Sequence, residues 1–171
     1  MGAGTQLYPL YEALWQHRVT VPGGSCPTVG IAGLTLGGGL GLLGRNRGLT
    51  CDNLLALEMV DAQGQVLCAN ADKNEDLYWA SRGGGGGNYG VVTEFTFRVE
   101  AIDQVAVFNL TWPWEQLAEV LKVWQSWAPF TDRRLFILGR SGGARRKHRL
   151  GGSFPGRAAA VSFGWGIPQL L

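Results

Sequence analysis

A chain of 171 residues, 46% of them apolar and with a net charge of +2, is long enough to build a core of its own. It has no apolar run long enough to cross a bilayer, no C-x-x-C pair among three cysteines and only two, isolated histidines, so a membrane span and a zinc site are not expected. The charge is unevenly spread: seven basic and thirteen acidic residues lie up to Asp132, eight basic and none acidic beyond it, which marks the end of the chain as a different kind of sequence.

The opening Met1-Gly2-Ala3-Gly4-Thr5-Gln6 lacks the basic segment and apolar run of a signal peptide. Leu7, Leu10, Tyr11 and Leu14 recur at helical spacing, with Pro9 in the first turn, which predicts a helix to about His17. His17 reads as a solvated residue at the C-terminal end of that helix. Val19-Thr20-Val21 reads as a short strand. It leads into a glycine-rich run from Gly23 to Gly41 with Cys26 inside it. Glycine lets the backbone approach a ligand closely, and successive N–H groups in such a loop can converge on an anion. A thiol in a glycine-lined loop suits a site; tight turns around a small buried Cys suit the same residues equally. A short helix is expected over Val29 to Leu36, with its N-terminus aimed at whatever sits beside Cys26, and another helical piece over Leu42 to Arg47 ending at Gly48.

Leu55, Leu57 and Met59 alternate with Ala56, Glu58 and Val60, which is strand periodicity; Asp61 to Gln65 reads as a hairpin turn and Val66 to Ala69 as its return, with Cys68 a structural strand residue. Asn74 is expected to cap a helix that Gly83 stops, with Leu77, Tyr78 and Ala80 facing the core. Val91, Thr93, Phe95, Phe97 and Val99 predict one apolar face of a strand. A further strand over Val105 to Leu110 precedes a helix starting at Pro113-Trp114-Glu115, with Leu117, Val120, Leu121 and Trp124 on its apolar face and Pro129 at its end. From about Gly139 the periodicity stops. The stretch Ser141 to Arg149 is expected to be poorly ordered, either a basic tail able to touch nucleic acid or sequence foreign to the rest of the chain.

Two stretches match the G-x-G-x-x-G dinucleotide pattern literally, Gly39 to Gly44 and Gly85 to Gly90, and Asp61 stands near the distance at which that fingerprint expects an acid. The helix after Gly39 would be too short for a parallel crossover, so this dinucleotide fold ranks behind.

One ordered set of motifs is more specific: Gly24-Ser25-Cys26-Pro27-Thr28-Val29-Gly30-x-x-Gly33, then Gly37-Gly38-Gly39-x-Gly41, Arg47 to Asn53, Asn74 to Gly83, and Gly87-Asn88-Tyr89-Gly90-Val91-Val92-Thr93. In these the chain resembles the berberine-bridge-enzyme-like group of FAD-linked oxidoreductases, from its start to about Asp132. The resemblance implies an α+β fold, the second half of a PCMH-type FAD-binding domain over residues 1–101, the start of a substrate-binding domain over 102–138, and an atypical basic stretch over 139–171. It implies FAD as cofactor, with Cys26, Pro27, Thr28, Val29, Gly30, Gly33, Gly37, Gly38, Gly39 and Gly41 lining it. In that family a cysteine at this place can bond covalently to C6 of the flavin, with a structural cysteine as the alternative here; the partner His stands on an Arg-x-Gly-Gly-His loop that this chain does not show, so no His is carried over. Asp52 and Asn53 match a segment near the cofactor, although turn capping explains Asp52 as well. Gly90, Val91 and Val92 match a strand start whose backbone meets the cofactor, while core packing accounts for the two valine side chains.

The activity implied is oxidation of an alcohol, sugar or amine, with hydride passing to flavin N5 and then to dioxygen. No catalytic base is assigned, because in the family it comes from regions beyond this stretch, and the chain reads as a fragment of such an enzyme. A non-catalytic flavin-binding module and a glycine-rich interaction protein with a basic tail are the alternatives. The small-molecule substrate is unspecified, and neither a membrane nor nucleic acid is the expected partner.

Overall fold

The structure, a computed structural model, describes residues 1–102, 104–142 and 158–167. It divides the chain into two units, Met1–Gln104 and Val105–Ile167. In the first unit, helix α1 (Leu7–Trp15) buries Leu7 and Leu10, the pair its helical spacing put on one face. Strand β1 (Val19–Thr20) follows, then helices α2 (Ile31–Leu36) and α3 (Gly44–Arg47). Strands β2 (Leu54–Val60) and β3 (Val66–Asn70) form the expected hairpin, and helix α4 (Glu75–Ala80) leads to β4 (Val91–Phe97). These strands make an antiparallel sheet in the order β3-β2-β4, and β1 pairs with the short β5 (Glu100–Ala101). The core lies between this sheet and the helices: Leu7, Ile31 and Leu36 pack with Leu54, Leu57, Met59, Val92 and Phe95. The edge of β4 is covered by the first residues of the chain. Ala3 donates its N–H to the Thr93 carbonyl, and Phe95 donates to that of Met1.

Simple alternation fails at two places in the sheet, and both have the same cause. Leu54 pairs with Phe97 but Ala56 with Thr96, so Leu55 is an extra residue on β2; Glu58 pairs with Glu94 but Met59 with Val92, so Thr93 is an extra residue on β4. Each bulge shifts the side-chain phase by one. Leu55 therefore points outward at 41% exposure, although alternation puts it on one face with Leu57 and Met59. Val91 is 71% exposed and Val92 is buried, so the expected face is reversed before the bulge and Val91 leaves the core, while beyond it Phe95 is buried as expected.

The hairpin turn is built by one side chain. Asp61 Oδ1 accepts the backbone N–H groups of Gln63 at 2.9 Å and Gln65 at 2.8 Å. Asp61→Ala is expected to cost about 1 kcal/mol in urea unfolding followed by circular dichroism, since two turn donors lose their acceptor to water. The low rank given to the dinucleotide pattern at Gly39 to Gly44 agrees with the structure: α3 has four residues and the strands flanking Asp61 run in opposite directions, so no parallel crossover joins them. Asn74 is the N-cap residue of α4, as expected, but it sits in the left-handed region, φ 50°, and its Nδ2 donates to the Cys68 carbonyl, so its side chain makes no capping bond to the helix.

In the second unit, strand β6 (Gln104–Pro113) and a single 3₁₀ turn lead into helix α5 (Leu117–Trp127). Ala128 and Leu135 form a small core with Trp112, Val120 and Trp124. Leu121 is exposed, so the apolar face of α5 is centred away from it. Strand β7 (Leu135–Gly142) pairs antiparallel with β8 (Ala158–Ile167), in a sheet ordered β6-β8-β7. The expected loss of structure from Gly139 is thus not met at 139–142 and 158–167; the other residues of that stretch lie outside the described ones.

Candidate functional site

Four loops of the first unit are tied into one surface. The segment 26–31 is sewn to the start of α1: Leu7 donates its N–H to the Val29 carbonyl, Tyr8 to Pro27, and Ile31 to Thr5, all within 3.0 Å. Tyr11 Oη donates to the Gly24 carbonyl at 2.7 Å, and burial pushes this phenol up to about 12, which keeps it a neutral donor at physiological pH. The next loop, Gly37 to Gly41, is clipped to residues 50–51. Thr50 and Cys51 donate their N–H groups to the Gly39 and Gly38 carbonyls, each at 2.9 Å. The loop after α4 closes the arrangement. Gly85 donates to the Leu36 carbonyl at 2.8 Å, and Arg82 Nε donates to the Cys51 carbonyl at 2.9 Å.

The glycines expected at the site fall into two physical classes. Gly38 and Gly39 have φ of 101° and 83°, and a Cβ on Gly39 would run into Thr50. A Cβ on Gly41 would strike the Gly23 carbonyl, and one on Gly90 would sit 2.5 Å from the Val60 carbonyl. These four are explained by the chain packing on itself. Gly30 and Gly33 are not. Both are exposed, neither has a positive φ, and a Cβ on either would meet nothing within 4 Å. Gly33 even stands inside α2, where alanine would serve the helix better. Gly37 stands between the classes, with a Cβ 3.2 Å from the Gly33 carbonyl.

Cys26, Pro27 and Thr28 are exposed beside this bare glycine surface, and Val29 is half-buried. The helix expected to start at Val29, with its N-terminus aimed beside Cys26, starts later. The helix α2 begins five residues after Cys26, at Ile31, and its first N–H is already taken by Thr5. Asp52 and Asn53 serve the loop itself. Asp52 Oδ2 accepts the Leu49 N–H at 2.8 Å and its other oxygen lies 3.5 Å from Arg82. The buried Asn53 donates to the carbonyls of Arg47 and Leu49. The support residues that sequence reading missed are Thr50, Tyr11 and Arg82. Only Arg82 carried a signal, as the single cation at the mouth of the Gly83–Gly87 run.

The three thiols are all free and differ in access. Burial, with the Asp52 carboxylate adding to it, holds the Cys51 thiol above its ordinary pKa. Cys68, expected as a structural strand residue, stands on β3 and is exposed. Iodoacetamide at mildly alkaline pH should therefore label Cys26 and Cys68 in the folded chain and Cys51 only after denaturation; peptide mass mapping reads the pattern.

Comparison with known proteins agrees with this geometry. A family model described as an FAD binding domain matches residues 1–70. The FAD-linked oxidoreductase YvdP of Bacillus subtilis, itself uncharacterized, is 54% identical over 133 residues, which cover 77% of this chain and 30% of YvdP. The solved structure of BBE-like 1 from Physcomitrella patens matches at 40% identity and a TM-score of 0.84, over 96% of this chain and 34% of that one. Phl p 4.0202, named as a glucose dehydrogenase, matches at 27% identity and a TM-score of 0.84, over 98% and 32% of the two chains. The chain thus spans about a third of the length of these proteins, and over that stretch it is similar to FAD-linked oxidoreductases of the berberine-bridge-enzyme-like group and carries the match to an FAD binding domain.

Proposed function

We propose that this chain is the flavin-holding part of an oxidoreductase acting on an alcohol, sugar or amine, with residues 1–101 serving the FAD, 102–138 opening the substrate-binding part and 139–171 a basic extension. The observation that carries this reading is the bare surface at Gly30 and Gly33 beside exposed Cys26. These glycines have no use within the chain, and the family's cofactor supplies one: a planar ring system and a pyrophosphate that need close backbone approach. The chemistry that bound FAD supplies is acceptance of a hydride from the substrate.

The residues of the chain bind and orient. The backbone of Cys26 to Gly30, with Gly33 and Gly37, forms the contact surface, while Gly38, Gly39, Gly41, Asp52 and Asn53 hold that surface in shape from behind. Gly90 keeps β4 tight against β2, which leaves the exposed Val91 at the strand start as a contact and Val92 as a core residue. Cys26 Sγ is the attachment point if the link to flavin C6 forms. A glucose dehydrogenase among the structural matches favours a hydroxyl-bearing substrate.

The test sets this chain in place of the matched stretch of YvdP, supplies FAD and precipitates the chimera with acid. Flavin mass on the tryptic peptide containing Cys26, lost in Cys26→Ala, is the expected result. Colour released entirely by acid would limit Cys26 to contact without a bond. Turnover of an alcohol, sugar or amine by the coloured chimera separates an enzyme from a non-catalytic flavin module.

A further inference from the structure

Cys51 is held at both of its backbone groups. Its N–H donates to the Gly38 carbonyl, and its carbonyl accepts from Arg82 Nε, each at 2.9 Å. The first bond matters because Gly38 and Gly39 follow one another with φ of 101° and 83°. Glycine leaves such a turn free to change shape, so partners outside the loop have to fix it. Those partners are Thr50, whose N–H and Oγ1 both donate to the Gly39 carbonyl, and Cys51, which opens the 3₁₀ turn Cys51–Asn53.

Arg82 grips that turn from the other side. While its Nε serves the Cys51 carbonyl, a terminal nitrogen lies 3.5 Å from Asp52 Oδ1, and Asp52 Oδ2 accepts the Leu49 N–H. The guanidinium carbon lies 5.3 Å from the centre of the Tyr78 ring, and Tyr78 Oη donates to the Leu54 carbonyl at 2.6 Å. A planar fork reaches a carbonyl and a carboxylate at once, whereas lysine offers a single nitrogen at one point. Stability does not account for the arrangement. The side chains of Arg82 and Asp52 are 33% and 51% exposed, and an ion pair so open to water adds little to it. What the contacts add is placement. We propose, on the flavin reading above, that Arg82 is a positioning residue for the cofactor: acting through Cys51, it holds Gly38 and Gly39 in the shape that the contact surface needs.

The test uses the YvdP chimera with and without FAD. Arg82→Lys is expected to weaken FAD binding about tenfold while the flavin-free protein melts at the same temperature. Hydrogen exchange read by mass spectrometry should speed up about tenfold in the peptide that carries the Thr50 and Cys51 N–H groups, and stay unchanged at the Asp61 hairpin. Arg18→Lys is the control. Arg18 also lies over a ring, 4.3 Å from the centre of Trp15, but it follows the end of α1 away from the segment 26–31. Its change should leave FAD affinity and exchange as they were. An Arg82→Lys chimera that binds FAD as tightly as its parent, loses FAD only in step with its melting temperature, or exchanges at residues 50 and 51 at the parent's rate would overturn the proposal. A coloured parent with any of these results overturns the role of Arg82 alone; a parent that stays colourless overturns that role and the flavin reading together.

Discussion

Gly41→Ala is expected to be the most destabilising of single small substitutions in the first unit. Gly41 is buried, and a Cβ there would strike the Gly23 carbonyl. The neighbour is backbone, so no side-chain rotation relieves the clash. The loop carrying Cys26 and the Gly37–Gly41 turn would have to separate, and the hydrogen bond from Tyr11 to Gly24 would move with them. The expected loss is about 3 kcal/mol or more, a large fraction of the stability of an ordinary domain. Gly4→Ala is the control: a Cβ there meets nothing within 4 Å, so its effect should stay within about 0.5 kcal/mol. Urea unfolding of both variants measures the difference. Equal midpoints would mean that the two loops do not touch as described.

Gly33→Ala should show the opposite signature, a more stable fold that loses its ligand. Gly33 lies inside α2 with an ordinary φ and open space around it, so alanine should add about 0.5–1 kcal/mol by removing freedom from the unfolded chain. The same methyl group stands on the surface proposed to face the flavin. In the YvdP chimera, Gly33→Ala and the bulkier Gly30→Leu are each expected to cut flavin retention more than tenfold with no fall in melting temperature. A loss of retention that tracks a loss of stability would point to a structural role. Unchanged retention in both would place the flavin elsewhere.

The hairpin at Asp61 and the helices at Leu7, Ile31 and Leu117 were legible because each rests on a local pattern: turn chemistry, or apolar residues three and four apart. The faces of β2 and β4 were legible at Leu57, Met59 and Phe95 but not at Leu55, Val91 and Val92. Leu55 and Thr93 are bulge residues, and a bulge is decided by pairing between strands distant in sequence, where simple alternation carries no trace of it. At the site, the motif order pointed to the loops that the structure ties together but could not say which glycines serve packing. Gly39 and Gly41 read the same as Gly30 and Gly33 along the chain, and only the neighbouring Thr50 and Gly23 tell them apart. The start of α2 shows the same limit. Ile31 opens the helix because its N–H is paired with Thr5, a partner in another segment.

The measurement that bears most directly on the account is the flavin content of the purified YvdP chimera carrying this chain. Visible absorbance against protein concentration gives the ratio. The account predicts a yellow protein with about one flavin per chain and a colourless Gly30→Leu variant that melts at the same temperature. A chimera that folds cooperatively and remains colourless with FAD in excess would contradict it.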